Sequence, residues 1–380
     1  MTDLIPDDVC PKNRDLREYT DQLRHKHAIV KNINHEWVLL KHADVVIAAL
    51  DHDSFSSNVS RYLQIPNGLD GEEHSQFRQI IDGYLTHEAL LPYIVTFEET
   101  AEELMQGLPK NKTLDAVTDI GAVFAVRAQC AWLGWPKALE PDLLAWMKEN
   151  HAATRSGDKT SMANVAAQFD NIIRSVIEPR RKKTYQGNDD VTSQLCREKI
   201  NGRQISDAEL ISILRNWTGG DLGSIALCVG VIIAFLANNP DITNKLRTAG
   251  NDEIDKIINE ILRLDDPFVN NRRITTCPVN IAGHNIPRGE IVKLNWTSAN
   301  RDEKVFEKGK FDPENNASNN LVYGIGKHVC PGRLLATWEL RIAVKALLAN
   351  VQSIKCSDEQ DFQREVAPVG GYNRVPIIID

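Results

Sequence analysis

The chain has 380 residues, of which 42% are hydrophobic, and carries a formal net charge of -8. This length and apolar content suit a large buried core, and the net acidity argues against a nucleic-acid partner. Seven cysteines are scattered without a CxxC pair, which is typical of a reducing compartment and excludes a disulfide framework.

The N-terminal segment MTDLIPDDVCPKNRD is polar and acidic, so we expect neither a signal peptide nor a membrane anchor. No apolar run is expected to reach the length of a bilayer span, and ALCVGVIIAFLA at 226–237 is too short. These features predict a cytoplasmic protein that does not enter a membrane.

The first predicted elements are a short strand and a helix in EWVLLKHADVVIAAL, residues 36–50. From Glu72 to Asn239, apolar residues recur at three- and four-residue steps, which predicts a mostly helical region. Its last helix opens with a capping signature at Ser206 and Glu209 and ends at Asn239-Pro240. Because the second half of this long helix is apolar on every side, we expect it to cross the centre of the protein.

After Pro267 the pattern changes to short strands, namely RRITT, VNIAG and EIVKLNW, with a turn at GHNIPRG. An irregular stretch, 302–329, leads to Cys330, and the helical pattern GRLLATWELRIAVKALLANV follows. No internal repeat or linker composition is visible. The sequence therefore predicts a mainly α fold with small peripheral β-sheets, in a single domain over 1–380.

Cys330 lies in the pattern Tyr323-x-x-Gly326-x-x-x-Cys330-x-Gly332, at the end of a loop and just before a helix. Glycines let such a loop fold tightly and let a flat group approach its backbone. The helix dipole and free amides favour a thiolate, which in this setting suits an iron ligand. One alternative is a buried structural cysteine. Another is a cysteine nucleophile with His328 as its base, although two residues of separation in a turn give poor geometry.

Two further motifs accompany the Cys330 loop. Glu260-x-x-Arg263 stands some seventy residues before it, and ANRDEKVFEKGKFDP at 299–313 directly precedes it. Together, and in this order, they resemble a soluble bacterial cytochrome P450, a haem-thiolate monooxygenase, over nearly the whole chain. The resemblance implies the cytochrome P450 fold, haem b as cofactor and Cys330 as the iron ligand, with Tyr323 where the family has Phe.

The resemblance also implies cations for the two haem propionates. His74 and Arg78 match the family's His-x-x-x-Arg, Arg273 its strand arginine, and His328 the position two residues before the cysteine. Arg272 is an alternative to Arg273, because a strand directs only one of them to the haem. The haem-contacting backbone and ring positions implied in the same way are Gly220, Tyr323, Gly326 and Gly332.

The long central helix carries TGGDLGSIA where the family has its oxygen-binding stretch. This stretch can be aligned with the family's in two ways. We prefer the alignment that needs no gap inside the helix, which puts Ser224 at the family's threonine and Gly223 at its acid. Ser224 is then expected to hold the oxygen intermediate and Asp221 to relay protons. In the alternative, Ser224 bonds to its own helix and Asp221 pairs with a distant cation.

A departure from the family concerns the buried network around Glu260 and Arg263, to which we assign a structural role. Asn315 in FDPEN replaces the arginine that usually completes this network. Since Asn carries no charge, the pair is expected to be more self-contained.

The resemblance places the substrate pocket near Trp217, Val269, Asn270 and Tyr372, and it predicts hydroxylation or dealkylation of a small aromatic, ether or methoxy compound. No Gly-x-Gly-x-x-Gly fingerprint is present, so electrons are expected from a separate ferredoxin or flavodoxin and its NAD(P)H-dependent reductase. The candidate docking cations are Lys327, Arg333, Arg341 and Lys345. The rival hypotheses are a peroxide-driven peroxygenase and a non-catalytic haem-binding protein.

Overall fold

The computed structural model describes residues 4–5, 15–307 and 309–380. Most of the acidic N-terminal segment, including Cys10, lies outside these residues. The α-helices in chain order are α1 Leu16–Lys26, α2 His42–Leu50, α3 Gly71–Gly83, α4 His87–Leu90, α5 Ile94–Gly107, α6 Val123–Leu133, α7 Glu140–Ser156, α8 Lys159–Arg181, α9 Val191–Arg197, α10 Asp207–Leu214, α11 Gly220–Asn238, α12 Pro240–Leu246, α13 Asn251–Leu264, α14 Trp296–Ala299 and α15 Arg333–Asn350.

The strands are short and belong to several separate sheets. In chain order they are β1 Leu4–Ile5, β2 Ile29–Asn32, β3 Trp37–Leu39, β4 Phe55–Ser56, β5 Thr113–Asp115, β6 Lys199–Ile200, β7 Arg203–Gln204, β8 Asn270–Thr275, β9 Val279–Ile281, β10 His284–Ile286, β11 Ile291–Asn295, β12 Ile354–Cys356, β13 Gln363–Arg364, β14 Tyr372–Arg374 and β15 Pro376–Ile379. The largest sheet has the order β1-β2-β3-β11-β8-β4, and a second has the order β12-β15-β5. The predicted mainly α fold with small sheets is confirmed.

The central helix follows its sequence signals closely. Ser206 and Glu209 form a complete capping box at the start of α10, and α11 ends at Asn238, before Pro240. Between α10 and α11 the backbone winds as a π-helix over Arg215–Gly219, so the helical run from 207 to 238 is continuous. Most of α11 is buried.

The chain that leads into α6 crosses α11 at very close range. It winds as a π-helix over Ala116–Ala122, and a Cβ placed on Gly121 would lie 2.6 Å from the carbonyl oxygen of Ala226 on α11. Only a residue without a side chain fits there. Because this contact fixes how α11 lies in the core, it also fixes the position of the site that α11 borders.

Two helical runs pass the length and composition criteria for a bilayer span, namely Ala116–Leu133 and Asp207–Asn238. The expectation that no apolar run is long enough is therefore wrong. Most residues of both runs are buried inside the protein, which is also the property of core helices in a globular fold.

Candidate functional site

The Cys330 loop is shaped by glycines and by one backbone hydrogen bond. Gly324 and Gly326 have φ values of 68° and 78°, which favour glycine. A Cβ on Gly326 would lie 3.1 Å from the carbonyl oxygen of Ala49 in α2, so the loop can approach this helix only without a side chain. The Cys330 amide donates to the Tyr323 carbonyl over 2.9 Å, which fixes the cysteine just ahead of α15.

The thiol of Cys330 is not an activated nucleophile. Burial raises its pKa to about 11, although a hydrogen bond from the Gly332 amide acts in the opposite direction. At neutral pH such a thiol stays protonated unless a bound metal stabilises the thiolate. His328 does not act on it as a base, because its Nε2 lies 3.0 Å from the hydroxyl of Ser57. The geometry therefore does not support the cysteine-hydrolase alternative.

Basic side chains predicted from distant parts of the chain meet beside this loop. The rings of His74 and His328 have centroids 4.2 Å apart. Arg78 donates to the carbonyl oxygens of Lys327 and Val329, both over 3.0 Å, and so ties α3 to the Cys330 loop.

The two adjacent arginines of β8 point to opposite faces of the strand. Arg273 is buried and forms no ion pair with the described residues, whereas Arg272 is exposed and lies 3.9 Å from a carboxylate oxygen of Glu36. Arg273 thus faces inward, as predicted.

Two carboxylates lie beside these basic side chains, with Asp82 Oδ1 2.9 Å from Arg78 Nε and Asp70 Oδ1 3.8 Å from His328 Nε2. Burial, followed by the charges of His74 and Arg273, lowers the pKa of His328 to about 3. Burial and the nearby Arg78 lower the pKa of His74, and its Nε2 is buried without a hydrogen-bond partner among the described residues. The lowered pKa values leave both histidines neutral at pH 7. Arg273 is buried without an ion pair among the described residues, and the unpartnered His74 Nε2 is free to donate, so the site fits a ligand with carboxylates, as the two propionates of haem provide.

The central helix borders the same site. The helix α11 packs against α15, which begins three residues after Cys330, and the Asp221 charge raises the pKa of the thiol. A Cβ on Gly220 would meet no atom within 4 Å, so this part of the helix surface is open to a flat group.

Ser224 and Asp221 have definite partners. The Ser224 hydroxyl donates to the Gly220 carbonyl oxygen, as in the back-bonded alternative, and its lone pairs remain able to accept. Asp221 accepts a hydrogen bond from the Gln129 amide on α6, not from a cation. Burial raises the pKa of Asp221 to about 7, while the bond from Gln129 lowers it.

The Glu260–Arg263 pair is buried and less self-contained than expected. Arg263 Nε lies 2.7 Å from Glu260 Oε2, and the guanidinium also donates to the Asn300 carbonyl. Asn316, and not Asn315, completes the network by donating to Glu260 over 2.7 Å. The side chain of Asn315 instead bonds to Asp312, because the turn there directs the next residue inward.

The predicted substrate residues lie in different surroundings. Trp217 is buried between the rings of Tyr84 and Trp132, at centroid distances of 5.8 and 5.1 Å. Val269 packs in a small cluster with α1, and the Asn270 amide nitrogen is buried without a partner among the described residues. Tyr372 lies under the guanidinium of Arg364 and edge-on to Phe362.

Several polar partners of the site were not predicted, namely Ser57, Asp70 and Gln129. Asp70 directly precedes α3 and stands four residues before His74, so its proximity was readable from helix spacing. Ser57 and Gln129 meet their partners only through tertiary folding.

Among the proposed docking cations, Arg341 is bound by Asp255, so its charge is largely neutralised.

Comparison with known proteins gives a consistent result. The family description "Cytochrome P450" matches residues 141–369. Cyclomarin C epoxidase of Salinispora arenicola is 26% identical over 361 residues, covering 90% of each chain. The β-dihydromenaquinone-9 ω-hydroxylase of Mycobacterium tuberculosis is 28% identical over 331 residues, covering 84% of this chain and 67% of the relative.

Among solved structures, cytochrome P450 CYP109Q5 from Chondromyces apiculatus superimposes with a TM-score of 0.87 at 20% identity, covering 100% of this chain and 99% of the other. An open form of P450 EryK from S. erythraea gives a TM-score of 0.86 at 22% identity, with coverages of 96% and 95%. Taken with the half-buried Cys330 and the basic side chains beside it, these findings show that the chain belongs to the cytochrome P450 family of monooxygenases, whose cofactor is haem b with a thiolate-ligated iron.

Proposed function

We propose that the protein hydroxylates or oxidatively dealkylates a small organic substrate, with O2 and electrons from a separate ferredoxin or flavodoxin and its NAD(P)H-dependent reductase. The observation that carries this proposal is the half-buried Cys330 thiol beside the buried Arg273, which has no ion pair among the described residues, and the unpartnered His74 Nε2. Relatives named as an epoxidase and as hydroxylases support oxygen insertion. We further propose a cytoplasmic enzyme that forms one catalytic domain.

Cys330 is the proposed iron ligand, and His74, Arg273 and His328 are the proposed propionate contacts. Arg78 would serve the site by holding the Cys330 loop through two backbone carbonyls, because its guanidinium already donates there. Gly220, Tyr323, Gly326 and Gly332 would border the macrocycle. The haem iron supplies O2 activation and oxygen transfer when it is bound.

On the α11 side of the site, Ser224 is proposed to accept a hydrogen bond and Asp221 to deliver protons. The Ser224 hydroxyl directs its hydrogen to Gly220, so its oxygen can accept a hydrogen bond from a donor in the pocket. Asp221, with a pKa of about 7, exchanges a proton readily at neutral pH. Glu260 and Arg263 are proposed to be structural.

The substrate class is proposed from the sequence resemblance, with small aromatic, ether and methoxy compounds first. Trp217, Val269, Asn270 and Tyr372 are the proposed contacts. Asn270 is the strongest of these, because its buried amide nitrogen lacks a partner among the described residues and would bind a substrate oxygen.

The first experiment is the absorption spectrum of the reduced holoprotein under carbon monoxide. Wild type should show the long-wavelength Soret band of thiolate ligation, and Cys330→Ser should lose it, with Cys228→Ser as a matched control for a buried thiol. A band that is unchanged in Cys330→Ser would overturn the ligand assignment.

The second experiment screens methoxy-aromatics, ethers and fatty acids for the substrate-induced spin shift, followed by product analysis. Turnover with NADH, ferredoxin and reductase, but not with hydrogen peroxide alone, would support the monooxygenase over the peroxygenase. Binding without any product under both conditions would instead support a non-catalytic haem protein.

A further inference from the structure

His151 of α7 lies directly against α11 beside Ser224. A Cβ placed on Gly223 would be 3.3 Å from His151 Nε2, so the imidazole occupies the space into which a side chain at 223 would project. Around the helix axis, position 221 lies about 60° to one side of Ser224 and position 223 about 100° to the other. Asp221 and the contact of His151 with Gly223 therefore lie on opposite sides of Ser224 around the helix.

The surroundings of His151 distinguish it from a packed core histidine. It forms no hydrogen bond with the part of the chain that the structure describes, although most of the ring is enclosed. One helical turn earlier the lining is apolar, where Trp146 and Phe169 stack beside Gly219. His151 is thus a titratable side chain that α7 presents to this stretch of α11.

A charged pair connects His151 to the surface. Arg155, on the same helix, donates to both carboxylate oxygens of Glu365, with Nη2–Oε1 at 2.7 Å and Nε–Oε2 at 3.0 Å. The side chain of Arg155 is 31% exposed and that of Glu365 only 3%. Burial lowers the pKa of His151, Glu365 raises it and Arg155 lowers it, while α11 contributes the non-titratable Gly223 at this contact. The imidazole is therefore mainly neutral at pH 7, and it can take up and release a proton.

We propose that His151 is a proton-relaying residue that acts through Ser224. One ring nitrogen accepts a proton from solvent on the Glu365 side, and the other donates a proton toward the Ser224 oxygen. This leaves the neutral imidazole as its other tautomer, and proton exchange with solvent restores the first one. This inference rests on the role proposed above for Ser224. It gives the site a proton route on the α7 side, independent of Asp221 and Gln129.

The test compares His151→Gln and His151→Ala with Glu149→Gln, an exposed neighbour on α7, in the holoenzyme with the compound that gives the largest spin shift. Losing a proton relay should lower product formation about 10-fold and divert NADH to hydrogen peroxide. Glu149→Gln should resemble wild type. The double variant His151→Ala with Gly223→Asp returns a carboxylate to the same space and should recover most of the product.

A spectroscopic measurement distinguishes a proton-relaying role of His151 from a purely structural role. In the Asp221→Asn background, the C–O stretching band of the reduced carbon monoxide complex should shift with pH, and His151→Gln should abolish this shift. Normal product yield in His151→Gln, no recovery in the double variant, or an unchanged pH-dependent band would each overturn the proposal. If Ser224→Ala itself leaves the peroxide yield unchanged, the proposed role of Ser224 fails as well.

Discussion

Arg272 and Arg273 are neighbours in β8, yet they lie on opposite faces of the strand. Arg272 pairs with Glu36 at the surface, whereas Arg273 is buried beside the cation cluster. Burial lowers the pKa of Arg273, and Asp70 opposes this shift. Adjacent residues of the same type therefore have different tasks, and the alternation of the strand decides which one meets a ligand.

Arg273→Gln should weaken haem binding without destabilising the apoprotein. A charge-assisted bond to a carboxylate contributes about 1.5–3 kcal/mol, so haem loss to an acceptor protein should accelerate about 10-fold or more. The melting temperature of the apoprotein should not fall, because Arg273 has no ion pair among the described residues. Arg272→Gln is the control, and equal haem-loss rates in the two variants would contradict the assignment.

Asp221→Asn should remove a step in the pH dependence of turnover. Because the pKa is raised to about 7, the carboxyl group carries its proton below pH 7 and loses it above. If the protonated form delivers protons, wild-type product yield falls as the pH rises through about 7. The variant should show a flat profile there, measured as product per NADH from pH 5.5 to 8.5. A step that persists in the variant would exclude Asp221 as its source.

Much of the residue-level chemistry was predictable, and what was not has a physical reason. His74, Arg78, His328 and Cys330 match positions of the family's motifs, so the resemblance assigned them to a common site. The bond from Gln129 to Asp221 joins α6 to α11 across 92 residues, and no local pattern encodes it. The bond from Asn316 to Glu260 was not predicted, because the direction of a side chain in an irregular turn depends on tertiary packing.

At the level of elements, the crossing of the π-helix 116–122 with α11 depends on one small residue. Gly121→Ala should destabilise the fold by about 1–3 kcal/mol, since the new Cβ would overlap the Ala226 carbonyl region. Gly107→Ala in α5 is the matched control, because a Cβ there meets no atom within 4 Å. The control should be neutral or stabilising by up to about 1 kcal/mol in urea unfolding. Equal losses would show that the crossing tolerates a methyl group.

Periodicity predicted the central helix and its caps but not its π-helical turn. The turn at Arg215–Gly219 changes only the hydrogen-bond register, which leaves the apolar pattern intact. The short strand β5 was missed for another reason, because it forms only by pairing with β15 at the other end of the chain. Elements that depend on remote pairing carry a weak local signal.

On the scale of the whole molecule, the Glu260–Arg263 pair joins α13 to the irregular chain that precedes Cys330. Arg263→Met should destabilise the protein by about 3–5 kcal/mol, because it leaves the Glu260 carboxylate buried without its cation. Lys256→Met on the same helix breaks an exposed pair with Glu314 and should leave stability nearly unchanged, because solvent screens this pair. Urea unfolding of both variants measures the difference. Similar midpoints would show that the buried pair is dispensable.

The unpaired Arg273 beside the Cys330 loop has a consequence for how much of this protein a cell can accumulate. Without a bound dianion, its guanidinium is buried with no ion pair among the described residues, which costs free energy where β8 meets the loop. We expect chains made during haem shortage to open at this rim and to be degraded by proteases. Cofactor supply would then set the abundance of the enzyme as well as its activity.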